Sequence, residues 1–210
     1  MASADSKKRK QEETKIHKNK QPPKIKPFVE RYMNLDSNGP YYKYFKQLSE
    51  DGYTVIPNVL SNEKCIQAEN GLWEWLIKYN ECIKRDNPKT WKDEYLPNRM
   101  GKKGIIQWYS VGHSQFVWDI RQDENVCHVF ESMWNDTNLI CSFDGINIQP
   151  PPECTGKYAH PLGEEWHHSD QAPIKTGLAC IQGFINLQET GPLDGCLVVR
   201  PKSHLLHVFI

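Results

Sequence analysis

The chain has 210 residues, 38% of them hydrophobic and 11% aromatic, with seven Trp and 26 basic against 26 acidic side chains. That is enough apolar material for one domain with a real core. No apolar run approaches the roughly 20 residues that span a bilayer, and the first residues lack the apolar centre of a secretory signal, so a soluble, intracellular protein is expected, with no membrane role.

The balanced charge hides an asymmetry. Residues 1–27 carry nine Lys/Arg and three acids, which leaves 17 basic and 23 acidic residues in 28–210. The first segment is polar and ends in Pro22, Pro23 and Pro27, a composition expected to be disordered. It is read as a tail, 1–27, ahead of one domain, 28–210. The run Lys7-Lys8-Arg9-Lys10 has the composition of a nuclear signal or a nucleic-acid contact, but short basic runs at termini more often only solubilise. An acidic body does not support nucleic acid as the main partner, and a cytoplasmic location with a nuclear alternative follows.

Seven cysteines stand at 65, 82, 127, 141, 154, 180 and 196, widely spaced and without a C-x-x-C pair. That pattern argues against a disulfide framework and against a thiolate zinc site, and casts most of them as small core residues.

In chain order, Tyr41 to Lys46 reads as a short aromatic helix, and Tyr53 to Pro57 as a β-branched strand. Ser61 caps a helical run with Cys65, Ile66, Glu69, Leu72, Trp73, Leu76 and Ile77 on its stripe, a face expected to pack on a sheet. Lys84 to Gly104 is charged and carries Pro88, Pro97 and Gly101, as a long surface loop would. A second amphipathic helix is expected near Asn125–Trp134. Then the pattern turns to strands: Leu139–Gln149, which ends at Pro150-Pro151-Pro152, then Glu165–Asp170, Leu178–Leu187 and Cys196–Arg200. The last two are separated by a Gly/Pro turn segment, 189–195. Helices before strands predict an α+β protein with helices buttressing a β-sandwich or barrel.

The chemistry concentrates in Trp166-His167-His168-Ser169-Asp170-Gln171. In a strand, residues i and i+2 share a face, so His168 and Asp170 would present an imidazole and a carboxylate side by side. One His, one carboxylate and a second, distant His make the facial triad of non-haem Fe(II) oxygenases, which leaves positions open for co-substrate and O₂. A bare His-x-Asp pair also occurs on ordinary surface strands. Its position after a long Gly/Pro loop favours a site.

Three segments in order resemble the phytanoyl-CoA dioxygenase (PhyH-like) family of Fe(II)/2-oxoglutarate-dependent oxygenases. They are Leu48-Ser-Glu-Asp-Gly-Tyr-Thr-Val-Ile-Pro-Asn-Val-Leu-Ser61, the Trp166–Gln171 segment, and Asp194-Gly-Cys-Leu-Val-Val-Arg-Pro-Lys-Ser-His204. The resemblance implies a double-stranded β-helix (jelly-roll, cupin-like) core behind N-terminal helices. It also implies His168 and Asp170 as iron ligands, Asn147 as a contact to 2-oxoglutarate, and O₂ as co-substrate. The family's third ligand, a His, and the basic residue that pairs with 2-oxoglutarate lie beyond the Pro-x-Ser-His turn. The chain ends at Ile210, so a C-terminally truncated domain is expected, with Leu205–Ile210 as an apolar strand end that a second chain would complete. His204 matches the turn histidine, which is not a ligand, and neither it nor His207 is expected to replace the third one.

Lesser candidates are weaker. His113 and His128 are isolated, and His160, in the loop before the His168 segment, could line a pocket but reads more simply as a loop residue. Lys175 could meet an anionic group but reads by default as a surface lysine. Trp91, Trp108 and Trp118 could wall a substrate or simply pack beneath a loop. Three functions stay open: an oxygenase acting on a small-molecule substrate, a truncated, catalytically silent relative retained as a binding or structural module or surviving as a gene remnant, and, more weakly, a nucleic-acid adaptor acting through the tail.

Overall fold

The computed structural model describes residues 32–100, 104–155, 168–172, 175, 178, 181–191, 194–195 and 197–209. The basic segment 1–27, Trp166 and His167 fall outside them, as does His160.

Helix α1 spans Tyr42–Asp51, longer than the six residues expected, because Leu48 to Asp51 continue it until Gly52 adopts a left-handed φ of 81° and donates its N–H to the Leu48 carbonyl. The following Tyr53 to Pro57, expected as a strand, forms no ladder. Ile56 instead packs beside Phe45, Val129 and Met133, while Val55 points to solvent.

Helix α2 is Asn62–Tyr79, and Ser61 caps it as its side chain accepts from the Lys64 N–H at 3.3 Å. Its buried face differs from the expected stripe. Ile66 is 56% and Ile77 39% exposed, whereas Ala68 and Leu76 are buried. The reason is the partner, which is a helix and not a sheet. Gly71 lets α2 approach α3 (Gln115–Arg121) so closely that a Cβ there would sit 2.5 Å from Phe116 Cβ. Glu69, the polar member of the stripe, pairs with Arg85 at 2.9 Å.

The segment expected as a surface loop is partly core. Leu96 joins Leu76 and Ile83 in a cluster flanked by Trp73, Trp91 and Tyr95, and Arg99 bonds Asp93. Trp91 lies 5.1 Å from Trp73 and donates its indole N–H to the Lys84 carbonyl at 2.8 Å, so it packs beneath the segment.

Helix α4, Glu124–Trp134, buries Val126, Val129 and Met133, and the cap it needs is Asp123, whose carboxylate accepts from the Asn125 N–H at 2.9 Å. Its Val129 and Met133 pack on Phe45 of α1. Between these helices, β1 (Ile105–Ile106) and β2 (Ile146–Asn147) pair antiparallel in the register Ile105↔Asn147 and Ile106↔Ile146. Ile106 and Ile146 sit with Val111, Phe116 and Val117, and with Leu72 and Trp75 of α2.

The expected strand Leu139–Gln149 is therefore realised only at its end, and Ile140 is 98% exposed. A short helix α5, Pro152–Thr155, follows. Among the described residues of 181–187 and 197–200 no strand ladder forms, and Leu205–Phe209, expected as a strand end, belongs to a 3-10 helix, Ser203–Phe209. Cys82 and Cys141 are exposed and Cys65, Cys127 and Cys154 half-buried, all five as free thiols, which corrects the expectation of buried core cysteines. Among the described residues, no helix is long and apolar enough to cross a membrane.

Candidate metal-binding site

His168 and Asp170 stand side by side. His168 Nε2 lies 3.2 Å from Asp170 Oδ1, and each side chain is 47% exposed. Two ligands in adjacent positions of an octahedral ion, each about 2.1 Å from it, lie about 3 Å apart, so the observed separation fits a shared divalent cation. The half-exposure matters too, because a ligand pair that is to take up an ion from solvent must be reachable. Among the described residues, no group of three or more His, Cys, Asp or Glu is gathered around one point.

The short segment that carries this pair, 168–172, is held by side chains and by a backbone bond from the Lys175 N–H to the Ala172 carbonyl at 2.9 Å, and not by a ladder. Ser169 Oγ lies 3.3 Å from the Gln171 carbonyl and 3.4 Å from His207 Nδ1. His207 Nε2 lies 3.2 Å from the Ala172 carbonyl, and Gln171 Nε2 donates to the Lys175 carbonyl at 3.1 Å. Lys175 itself is exposed. His207 thus sits against the segment without being an expected member of the site. Nothing local in the sequence signals this, since 38 residues separate it from Ser169.

Asn147 lies on β2, exposed, with its side-chain oxygen packed over Gly104, where a Cβ would collide with it. The Gly104 carbonyl accepts from the Ile148 N–H at 2.9 Å. The next polar residue, Gln149, packs its side chain over Gly195, so the turn after 189 is brought against the end of the β2 segment.

His113 and His128 make ring contacts on the helical part of the domain. His113 stacks 4.6 Å from Phe143, and Trp118 meets the same ring edge-on at 5.1 Å. His128 packs 5.7 Å from Tyr41. Trp108 is 49% exposed. A cleft of about 460 Å³ lined by Lys64, Gln67, Asp119, Asp123 and Glu124 lies on the helices and shares no residue with His168, Asp170 or Asn147. In it, burial raises the Asp123 carboxyl pKa, but the hydrogen bonds from Lys64 and the Asn125 N–H outweigh that and hold it below its ordinary value.

The family model for phytanoyl-CoA dioxygenase (PhyH) matches residues 48–210. The chain belongs to the phytanoyl-CoA dioxygenase family. Among curated proteins, this PhyH chain is similar to "Ava biosynthesis cluster protein O" of Aspergillus versicolor, with 31% identity over 158 residues that cover 75% of this chain and 49% of the relative. The chain thus spans about half the length of that relative. No solved structure matches it. The PhyH match takes in His168, Asp170, Asn147 and His207 together, and its description is that of a dioxygenase, an oxidoreductase.

Proposed function

We propose that this PhyH-family chain carries part of an Fe(II)/2-oxoglutarate-dependent dioxygenase, with His168 and Asp170 as two iron ligands. The observation that carries the reading is the 3.2 Å approach of an imidazole nitrogen and a carboxylate oxygen within the family-matching segment. Imidazole and carboxylate are the donor types that hold iron with positions left open. When bound, the iron supplies activation of O₂, and the net reaction converts 2-oxoglutarate, O₂ and a C–H substrate to succinate, CO₂ and the hydroxylated product.

The chain's own residues do the holding. The neutral His168 ring donates through one nitrogen and Asp170 supplies anionic charge beside it. Asn147, an exposed amide at the end of β2, is assigned to a polar contact with 2-oxoglutarate. The fold assigned to the domain is the double-stranded β-helix of the family, to which the β1–β2 ribbon would contribute an edge. A small-molecule substrate is favoured by the relative whose name places it in a biosynthesis cluster.

The test is anaerobic titration of the 210-residue chain with Fe(II) and with 2-oxoglutarate, beside Asp170→Ala and Asn147→Ala. Stoichiometric iron binding lost in Asp170→Ala, with 2-oxoglutarate affinity weakened at least tenfold in Asn147→Ala, is the expected result. Iron retained in full by Asp170→Ala would overturn the assignment. A folded chain that takes up neither ligand would favour a catalytically silent binding module.

A further inference from the structure

The 3-10 helix Ser203–Phe209 touches two distant parts of the domain through two histidines three residues apart. Such spacing places side chains on the same side of a 3-10 helix. On the first part, His204 Nε2 lies 3.0 Å from the Ser49 carbonyl and the Lys202 N–H donates to the Asp51 carbonyl at 2.7 Å. Ser49 and Asp51 lie in the last turn of α1, where carbonyls have no partner within the helix. A cation or N–H donor at that end is favoured by the helix dipole. The turn therefore caps α1 from 155 residues away.

On the second part, His207 grips the segment that carries His168 and Asp170. The Ala172 carbonyl can only accept, so His207 Nε2 donates to it at 3.2 Å. In the neutral ring Nδ1 is then an acceptor, and the Ser169 hydroxyl donates to it at 3.4 Å. That hydroxyl also lies 3.3 Å from the Gln171 carbonyl, so its single proton is shared between two acceptors. Both ring nitrogens are engaged by residues that flank the ligand pair, one between His168 and Asp170 and one two residues beyond.

We propose that Lys202–His207 is a strap that fixes the metal-binding segment to the end of α1, with His207 as a positioning residue for His168 and Asp170. The segment 168–172 belongs to no ladder; the Lys175 N–H donates to the Ala172 carbonyl at 2.9 Å at its far end, and His207 joins that carbonyl to the Ser169 hydroxyl. A ligand pair on such a segment keeps its 3.2 Å geometry only if an outside group holds the backbone. Outer partners of this kind typically contribute 10- to 100-fold to metal affinity. His207 is committed through both nitrogens and acts through Ser169 and Ala172, so it is not itself a ligand.

The consequence for metal affinity rests on the iron reading above, but the strap does not, and the experiment separates the two. In the full chain, amide hydrogen exchange of residues 168–172 and Mn(II) affinity are measured for wild type, His207→Ala, His207→Gln, Ser169→Ala and Asp170→Ala. Exchange over 168–172 should rise about tenfold in His207→Ala, with α2 (Asn62–Tyr79) unchanged. His207→Gln, which can still donate and accept, should restore much of the protection. Mn(II) affinity should fall 10- to 100-fold in His207→Ala, less in Ser169→Ala, and be abolished in Asp170→Ala.

Unchanged exchange over 168–172 in His207→Ala overturns the strap. Loss of Mn(II) as complete as in Asp170→Ala, with exchange unaltered, overturns the positioning role and makes His207 a ligand. A wild-type chain that binds no Mn(II) fails the iron reading alone, and the exchange data still decide the strap. Should His207→Ala not fold, His207→Gln and Ser169→Ala carry the same comparison.

Discussion

Substituting Gly52 by Ala tests the joint between α1 and the strap at a single atom. Gly52 closes α1 at φ 81°, a conformation that costs an ordinary L-residue about 1–2 kcal/mol. The added Cβ would also lie inside contact distance of His204 Nδ1 and 3.1 Å from its Cγ. The imidazole would have to swing away and give up the 3.0 Å bond to the Ser49 carbonyl, a loss of about 0.5–1.5 kcal/mol for an intramolecular hydrogen bond. The two contributions predict a destabilisation of about 1.5–3.5 kcal/mol, read by urea unfolding of the full chain. Because only the second contribution passes through His204, a double-mutant cycle separates them. In a His204→Ala background the same Gly52→Ala change should cost only the backbone share, and the coupling between the sites should be about 0.5–1.5 kcal/mol. Strict additivity would refute the contact between Gly52 and His204, and with it the seating of the strap on α1. A Gly52→Ala chain as stable as wild type would refute the left-handed cap as well.

Two further substitutions probe the helices. Asp123→Ala removes the cap of α4 and should cost about 1–2 kcal/mol, while Asp123→Asn keeps a capping oxygen and should cost less. Because the Asp123 pKa is lowered on folding from 3.8, its stabilisation is fully present above that value. It is lost as pH falls through the lower, folded-state one. The stability difference between wild type and Asp123→Asn should therefore stay constant above about pH 5 and shrink only in strong acid. A difference that vanished near neutral pH would show that another group is titrating. Gly71→Ala sets about 1 kcal/mol of helix propensity against overpacking on Phe116, which typically costs 1–3 kcal/mol. A net loss in Tm is expected, and a gain would mean that α2 and α3 can move apart freely.

The elements that were legible in advance are those whose signals are short-range. Ser61 announces α2 because a hydroxyl followed by a periodic apolar run satisfies the free N–H groups of the first turn within three residues. The Val126, Val129, Phe130, Met133 and Trp134 stripe identifies α4 for the same local reason, although only Val126, Val129 and Met133 of it are buried. His168 and Asp170 could be named because chemistry needs two donors two residues apart, and the segments shared with the PhyH family mark where. Neither the face α2 buries nor the fate of Tyr53 to Pro57 could be read that way. Ile66 is more apolar than Ala68, yet Ala68 and Gly71 face inward, since a helix partner at close range selects small side chains. Val55 is β-branched, but a strand needs a neighbour with free N–H and C=O groups, and among the described residues none is paired with it.

The sequence by itself determined the family, the helix starts and the donor types of the candidate metal pair, because each depends on residues within a few positions of one another. Tertiary structure alone decided that Leu205 to Phe209 turn as a 3-10 helix, that His204 caps a helix 155 residues earlier, and that His207 reaches Ser169 and Ala172. These contacts join groups that any of several carbonyls or hydroxyls could have satisfied. Which one does so is set by where the packed helices bring the chain, and no spacing along the sequence records that.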